Sequence, residues 1–327
     1  MLKLEALVAT VDQQDATPAC ALVAGTPLKG SRRVGLLAGS FNPLTLAHLA
    51  MAQAGSEAVR LDALVWTMAA VTVDKERVAR ATLADRLAQL AALAEALRGS
   101  HVVLVNRGLY VDQVRALRAH LARDAEVAVM VGFDKIVQIV DPHYYRDRDT
   151  ALDELFGEAH LAVAPRGAAG APELEALLRT PENRPYAGRV TMIPLARKYR
   201  EDSSTAARRI AGEHGPRARA LRSLLPPEGC ALAATGAYTQ STGQVADEYH
   251  WRQLWLHALE RAGNGVPAEL PPLATLIRRT RKQTQAGARI RQLLLRSEDA
   301  EARAALWEAV RAVGPQARPA DTGSRKR

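Results

Sequence analysis

Two short stretches of this chain carry residues suited to phosphate chemistry. The first is Val34-Gly-Leu-Leu-Ala-Gly-Ser-Phe-Asn-Pro-Leu-Thr-Leu-Ala-His48. It begins as an apolar strand-like run and passes through a turn-forming stretch, Gly39, Ser40, Phe41, Asn42 and Pro43. It then enters a helical pattern at Leu46. Strand, glycine turn and helix start together present backbone N–H groups and a positive helix end to an anion. His48, in the first helical turn, adds a side-chain donor. The second stretch is Arg197-Lys-Tyr-Arg-Glu-Asp-Ser-Ser-Thr-Ala-Ala-Arg208. Ser203 and Ser204 precede a helical run, Thr205–Gly212, and a serine cap leaves amide groups there for phosphate oxygens. Arg208 lies four residues after Ser204, so it returns to the same face one turn later and can fork onto a phosphate. Either stretch alone also reads as an ordinary turn or a capped helix. Their presence in one domain supports a site for a nucleotide's phosphates.

Three weaker signals accompany them. Gly132-Phe-Asp134 follows a strand pattern, and an acid at a strand's carboxyl end often meets a ribose hydroxyl or a metal. Tyr144 and Tyr145 offer aromatic faces for stacking a base, with core packing as the alternative. Lys75 and Arg77, in a loop after a strand, are placed to meet a substrate phosphate or to lie solvated.

The elements that must position these residues follow from periodicity. Strand-like runs at Val34–Ala38, Ala63–Met68, Val102–Asn106, Val127–Val131, Leu161–Ala164 and Val190–Pro194 alternate with helical patterns. The helices are expected at Leu46–Arg60, Thr82–Arg98, Val111–Arg123, Asp149–Phe156 and Pro172–Arg179. The strands are continuously apolar rather than alternating, which suits a parallel sheet covered on both faces. The expected fold is therefore α/β, a doubly wound, mostly parallel sheet of Rossmann-like type. In that architecture ligands sit at the carboxyl ends of the strands. Gly39–His48, Gly132–Asp134 and Pro165–Gly167 all follow strands directly, so they can converge on one cleft.

Bulk properties bound the class. The 327 residues suffice for one large or two medium domains, and 48% hydrophobic with 24% charged residues is close to the soluble globular average. No apolar run approaches the ~20 residues of a membrane span, and the first 30 residues read as the leader of a cytoplasmic protein. Cys20 and Cys230, far apart in sequence, read as reduced and partly buried. The net charge is +9, of which +6 falls after Gln240, where 15 Lys/Arg face 9 Asp/Glu. The basicity thus belongs to the tail of the chain. The expected organisation is a leader at 1–30, a main α/β domain at 31–240, a helical extension at 241–313 and a disordered basic tail at 314–327. Arg278 to Arg291 reads as a solvated face, with no motif pointing to nucleic acid. A homo-oligomer is compatible with the sequence.

GSFNPLTLAH resembles the signature of the nucleotidyltransferase superfamily whose phosphate motif is His/Thr-x-Gly-His. SSTAAR is similar to its second signature, Ser-x-Thr-x-x-Arg, close to that of nicotinate/nicotinamide mononucleotide adenylyltransferases. GFDKIVQIVDPHYY and EAHLAVAPRG resemble the Gly-x-Asp stretch and the following strand and turn of those enzymes. LLPPEGCALAATGAY is similar to their ending, so the likeness covers roughly Arg33–Tyr238. Thr45 stands at the first histidine of the motif and Ala47 at its glycine. The Tyr-Thr-x-x-Thr-Leu stretch that helps hold the pyridine nucleotide is Tyr110-Val-Asp-Gln-Val-Arg115 here, without its threonines. The resemblance implies transfer of AMP from ATP to a phosphate-bearing acceptor such as nicotinate mononucleotide. Mg²⁺ would be held mainly by substrate phosphates, with no dedicated protein metal site. It further implies His48, Thr45 and Arg208 as catalytic. Gly39, Ser40, Phe41, Asn42, Gly132, Asp134, Arg166, Ser203, Ser204 and Thr205 would line the ATP site, and Lys75, Arg77, Tyr110, Tyr144 and Tyr145 the acceptor side. Other phosphorylated acceptors, CTP as donor, and a non-catalytic nucleotide sensor are the alternatives.

Overall fold

The computed structural model describes residues 2–71, 81–215, 218–234 and 237–238. Among the described residues seven strands form one sheet: β1 (Cys20–Ala24), β2 (Arg33–Ala38), β3 (Ala63–Ala69), β4 (Ser100–Val105), β5 (Glu126–Gly132), β6 (His160–Ala164) and β7 (Val190–Met192). Their order across the sheet is β1-β4-β3-β2-β5-β6-β7. All neighbouring pairs are parallel except β1 with β4. The helices among the described residues are α1 (Leu2–Thr10), α2 (Leu46–Val59), α3 (Leu83–Ala96), α4 (Tyr110–Arg118), α5 (Phe133–Ile139), α6 (Arg148–Glu158), α7 (Ala171–Arg179), α8 (Ser204–His214) and α9 (Pro227–Ala234).

The apolar strands are explained by burial on both faces. Val127, Val129 and Val131 of β5 pack with Val34, Leu36 and the helices of one face. Met130 points the other way, to Leu37, Trp66 and Leu87 on the second face. Gly55 of α2 makes that second packing close, because a methyl group there would overlap the buried Met130 sulfur. From β2 the chain steps to β3 and β4 on one side, then returns to β5 and steps to β6 and β7 on the other. The reversal places a crevice at the carboxyl ends of β2 and β5, where open α/β sheets bind ligands.

The six strands expected from the sequence are present, and four features differ. The first 30 residues, read as a leader, supply α1 and the edge strand β1. The side chain of the fully buried Asn106 holds this segment, donating to the carbonyls of Asp12, Asp15 and Thr17 and accepting from Ala19 N–H at 2.8 Å. Helix α4 stops at Arg118 instead of Arg123, and α5 follows β5 where only a turn was expected. Strand β7 ends at Met192, before Pro194, whose missing N–H cannot continue the ladder. Cys20 and Cys230 are free thiols, and burial pushes Cys20 up to about 11. No helix among the described residues is long and apolar enough to cross a membrane. Lys75 and Arg77, the helices expected within 241–313 and the tail at 314–327 lie outside the described residues.

Candidate active site

The first motif forms the turn that leaves β2 and enters α2. Gly39 N–H still donates to the Thr67 carbonyl at 3.1 Å, so the turn starts tied to β3. Phe41 follows at φ 42°, in the left-handed region, with its ring fully buried. A bulky side chain there is strained by on the order of 1–3 kcal/mol and persists only where its surroundings fix it. Those surroundings are visible. The ring meets Trp66 edge-on at 5.7 Å and His48 edge-on at 5.1 Å. The four carbonyls from Ser40 to Pro43 each accept a hydrogen bond from a side chain. Arg86 Nη1 reaches Ser40 at 2.9 Å, and Gln89 Nε2 reaches Phe41. Arg208 Nη1 reaches Asn42 at 2.7 Å, and Ser204 Oγ reaches Pro43 at 2.7 Å. Gly229 of α9 closes the packing: a methyl group on it would stand 2.5 Å from the Leu44 carbonyl.

Helix α2 starts with a reciprocal cap. Thr45 Oγ1 accepts from His48 N–H, and His48 Nδ1 accepts from Thr45 N–H at 3.1 Å. His48 thus takes the place that Glu or Gln fills in a capping box. The chemistry follows from this geometry. A backbone N–H can only donate, so Nδ1 must carry a lone pair, and the neutral ring holds its proton on Nε2. The Thr45 hydroxyl lies 2.7 Å from the same Nδ1 and is fully buried. Thr45, expected to offer its hydroxyl to a phosphate, instead caps the helix and orients the imidazole. Burial, followed by the nearby Arg166 guanidinium, lowers the His48 pKa from 6.5 to about 4. At neutral pH His48 is an uncharged donor, and a phosphate against Nε2 would draw the pKa back up.

Arg166 follows β6 and reaches across the crevice. Its Nε lies 3.5 Å from Asp134 Oδ2, at the start of α5, and its Nη1 donates to the Asp202 carbonyl at 2.6 Å. The Asp134 side chain remains 70% exposed, so this pair leaves it open to a ligand. Asp202 leads into Ser203, whose Oγ accepts from Ala206 N–H at 3.1 Å and caps α8. Thr205 Oγ1 accepts from Arg208 Nη2 at 3.0 Å. The second motif therefore packs directly on the first, across 161 residues of chain between Pro43 and Ser204.

The expected residues divide accordingly. Gly39 to Asn42, Thr45, His48, Gly132, Asp134, Arg166 and Ser203 to Arg208 gather at the carboxyl ends of β2, β5 and β6. Ser204 and Arg208 face the turn's carbonyls in this structure, where phosphate oxygens were expected. Tyr110 and Tyr145 pack against the core of the opposite sheet face. The Tyr145 hydroxyl donates to the Ile139 carbonyl at 2.8 Å, and burial pushes its pKa up to about 12, while the Tyr110 hydroxyl is raised further. Tyr144 lies half-buried, edge-on to His143 at 5.3 Å. Sequence reasoning did not single out Arg86 and Gln89. The available signal was two polar residues at i and i+3 on the face of α3 that also carries Leu90 and Leu93.

Known proteins resemble this chain over the span that holds the two helix starts. The family model described as cytidylyltransferase-like matches residues 36–210, a span holding both motifs. A protein of Laribacter hongkongensis named "Probable nicotinate-nucleotide adenylyltransferase" is 32% identical over 180 residues, covering 50% of this chain and 77% of its own length. One of the same name from Gemmatimonas aurantiaca is 32% identical over 222 residues, covering 66% of this chain and 96% of its own. Among solved structures, Plasmodium falciparum nicotinic acid mononucleotide adenylyltransferase complexed with NaAD aligns with TM-score 0.44 and 15% identity over 62% of this chain and 94% of that one. A neutral histidine at a helix start, a braced phosphate-type turn and a family match spanning both motifs lead to one assignment: the chain belongs to the cytidylyltransferase-like family of nucleotidyltransferases.

Proposed function

We propose that this nucleotidyltransferase moves AMP from ATP to the phosphate of nicotinate mononucleotide or its amide, releasing pyrophosphate. The observation that carries the reading is the joining of the two motifs around one turn, with His48 as an uncharged donor beside Arg166. The names of the relatives supply the acceptor. An acceptor phosphate oxygen attacks the α-phosphorus, and the bond to the bridging oxygen of pyrophosphate breaks. A phosphate monoester is already an anionic nucleophile at neutral pH, so the chain need not supply a base. Its residues position the reactants and stabilise charge as it shifts. His48 donates from Nε2 to an oxygen of the α- or β-phosphate. The N–H groups at the start of α8, together with Thr205 and Arg208, receive the β- and γ-phosphates, and Arg166 lies towards the base. Mg²⁺ bound to the triphosphate would neutralise part of its charge. The described residues gather no group of three or more His, Cys, Asp or Glu side chains for it, while exposed Asp134 suits its water shell or the ribose. ATP as donor fits a cytoplasmic reaction.

A second acceptor class is favoured by one observation: Tyr110 and Tyr145, expected to line the acceptor side, are engaged in the core. The deciding experiment is pyrophosphate release by the purified full chain. ATP and CTP are each offered with nicotinate mononucleotide, its amide, phosphopantetheine and simple sugar or alcohol phosphates. Turnover with ATP and a pyridine mononucleotide well above the others is the expected result. Nucleotide binding without turnover on any acceptor would overturn the reading.

A further inference from the structure

Helix α3 reaches the candidate site without lining it. Gln89 is 5% exposed and lies in the layer behind the turn. Its Oε1 accepts from Leu44 N–H at 3.0 Å, and its Nε2 donates to the Phe41 carbonyl. Both partners have fixed roles, one a donor and one an acceptor, so the carboxamide has a single satisfied orientation. One turn earlier Arg86 donates to Ser40, the carbonyl preceding Phe41, and to the Thr82 carbonyl at its own helix start.

The consequences run through two adjacent routes. Gln89 holds Phe41, whose left-handed backbone sets the ring that meets His48 edge-on at 5.1 Å. Gln89 also holds Leu44, and the next residue, Thr45, donates the N–H that fixes His48 Nδ1. We propose that Gln89 is a positioning residue for nucleotidyl transfer, clamping Phe41 and Leu44 so that His48 presents its Nε2–H at one place. This rests on the function proposed above for the same site. An apolar side chain at 89 leaves a buried carbonyl and a buried N–H without partners, and the turn can then relax from the strained Phe41 backbone.

The test compares the full-length wild-type chain with Gln89→Leu and Gln89→Glu, with activity expressed per folded molecule. Gln89→Leu is expected to lower kcat about 10- to 100-fold, the scale of a misplacement near 1 Å, while KM for ATP changes little. Gln89→Glu gives a pH signature. Its carboxylate still accepts from Leu44 N–H but has no proton for the Phe41 carbonyl, so its activity relative to wild type should rise on acidification as the acid form restores that donor. Nitrogen-15 spectra of the ligand-free imidazole supply a readout independent of turnover. Wild-type His48 should show one Nε2–H tautomer, and Gln89→Leu a shifted or mixed population. Unchanged kcat with an unchanged His48 spectrum overturns the proposal. So does a loss of activity accounted for wholly by the unfolded fraction. If Gln89→Leu does not fold, the Glu variant decides, because it keeps size and one of the two hydrogen bonds. A wild-type chain with no turnover on any acceptor would overturn the proposed function, while the His48 spectra would still decide the role of Gln89.

Discussion

In the proposed reaction His48 joins two jobs that usually fall to different residues, capping a helix and offering a proton to a ligand. Replacing it with Ala should reduce turnover about 100-fold or more, the cost of one donor worth about 3 kcal/mol in the transition state. Steady-state pyrophosphate release checks this, and a folded variant of wild-type speed would remove His48 from the mechanism. The same substitution opens the cap, so a stability loss of about 1 kcal/mol should accompany it in a denaturant titration. An NMR titration of the ligand-free ring should give a midpoint near 4, and Arg166→Met should move it upward by removing one of the two causes of the shift. The folded value lies below the ordinary 6.5. Hence the unfolded chain binds the proton first, and the His48 contribution to stability is complete above 6.5 and lost as pH falls towards 4. Arg208→Ala should raise KM for ATP or lower turnover, since it removes both a guanidinium beside the α8 start and the tie to the Asn42 carbonyl. Unchanged kinetics would leave Arg208 a brace of the turn with no part in ATP handling.

At the scale of elements, the turn is held by three helices. Helix α3 supplies Arg86 and Gln89, α8 supplies Ser204 and Arg208, and α9 approaches through Gly229. A substitution in α9 should therefore reach the site. Gly229→Ala sets a methyl group 2.5 Å from a backbone carbonyl that cannot swing away. It should cost roughly 1–3 kcal/mol by overpacking and lower activity together with stability. Thermal melts alongside pyrophosphate release check this, and an Ala variant with full stability would show that α9 shifts freely. Individual elements were legible in the sequence because their signals are local. Apolar runs marked β2 to β7, Thr82 and Ser203 marked helix starts, and glycine with proline marked the turn. Element β1 was not legible, since Cys-Ala-Leu-Val-Ala lies in a stretch whose pairing partner, β4, stands some eighty residues later.

In the whole molecule, the sheet order sets the site and the N-terminal segment seals one edge. Removing residues 2–24 would strip β1 from β4 and uncover apolar side chains packed by Leu4, Leu7, Val8 and Val23. The expected loss is roughly 2–4 kcal/mol, measured by chemical denaturation. A shortened chain as stable as the full one would return the first residues to the status of a leader. The sequence by itself determined the alternation of strands and helices, the doubly wound class and the two phosphate-type motifs, because each depends on residues close together in the chain. It also pointed to the acid and the arginine that follow β5 and β6. Tertiary structure alone decided that Ser204 and Arg208 brace the turn's carbonyls, that Tyr110 and Tyr145 belong to the core, and that Gln89 stands behind the site. Those outcomes depend on which distant carbonyl, ring or N–H a side chain meets once the sheet is assembled. No local pattern encodes that meeting, since the partners lie from 45 to 166 residues apart for Gln89 with Leu44 and Arg208 with Asn42.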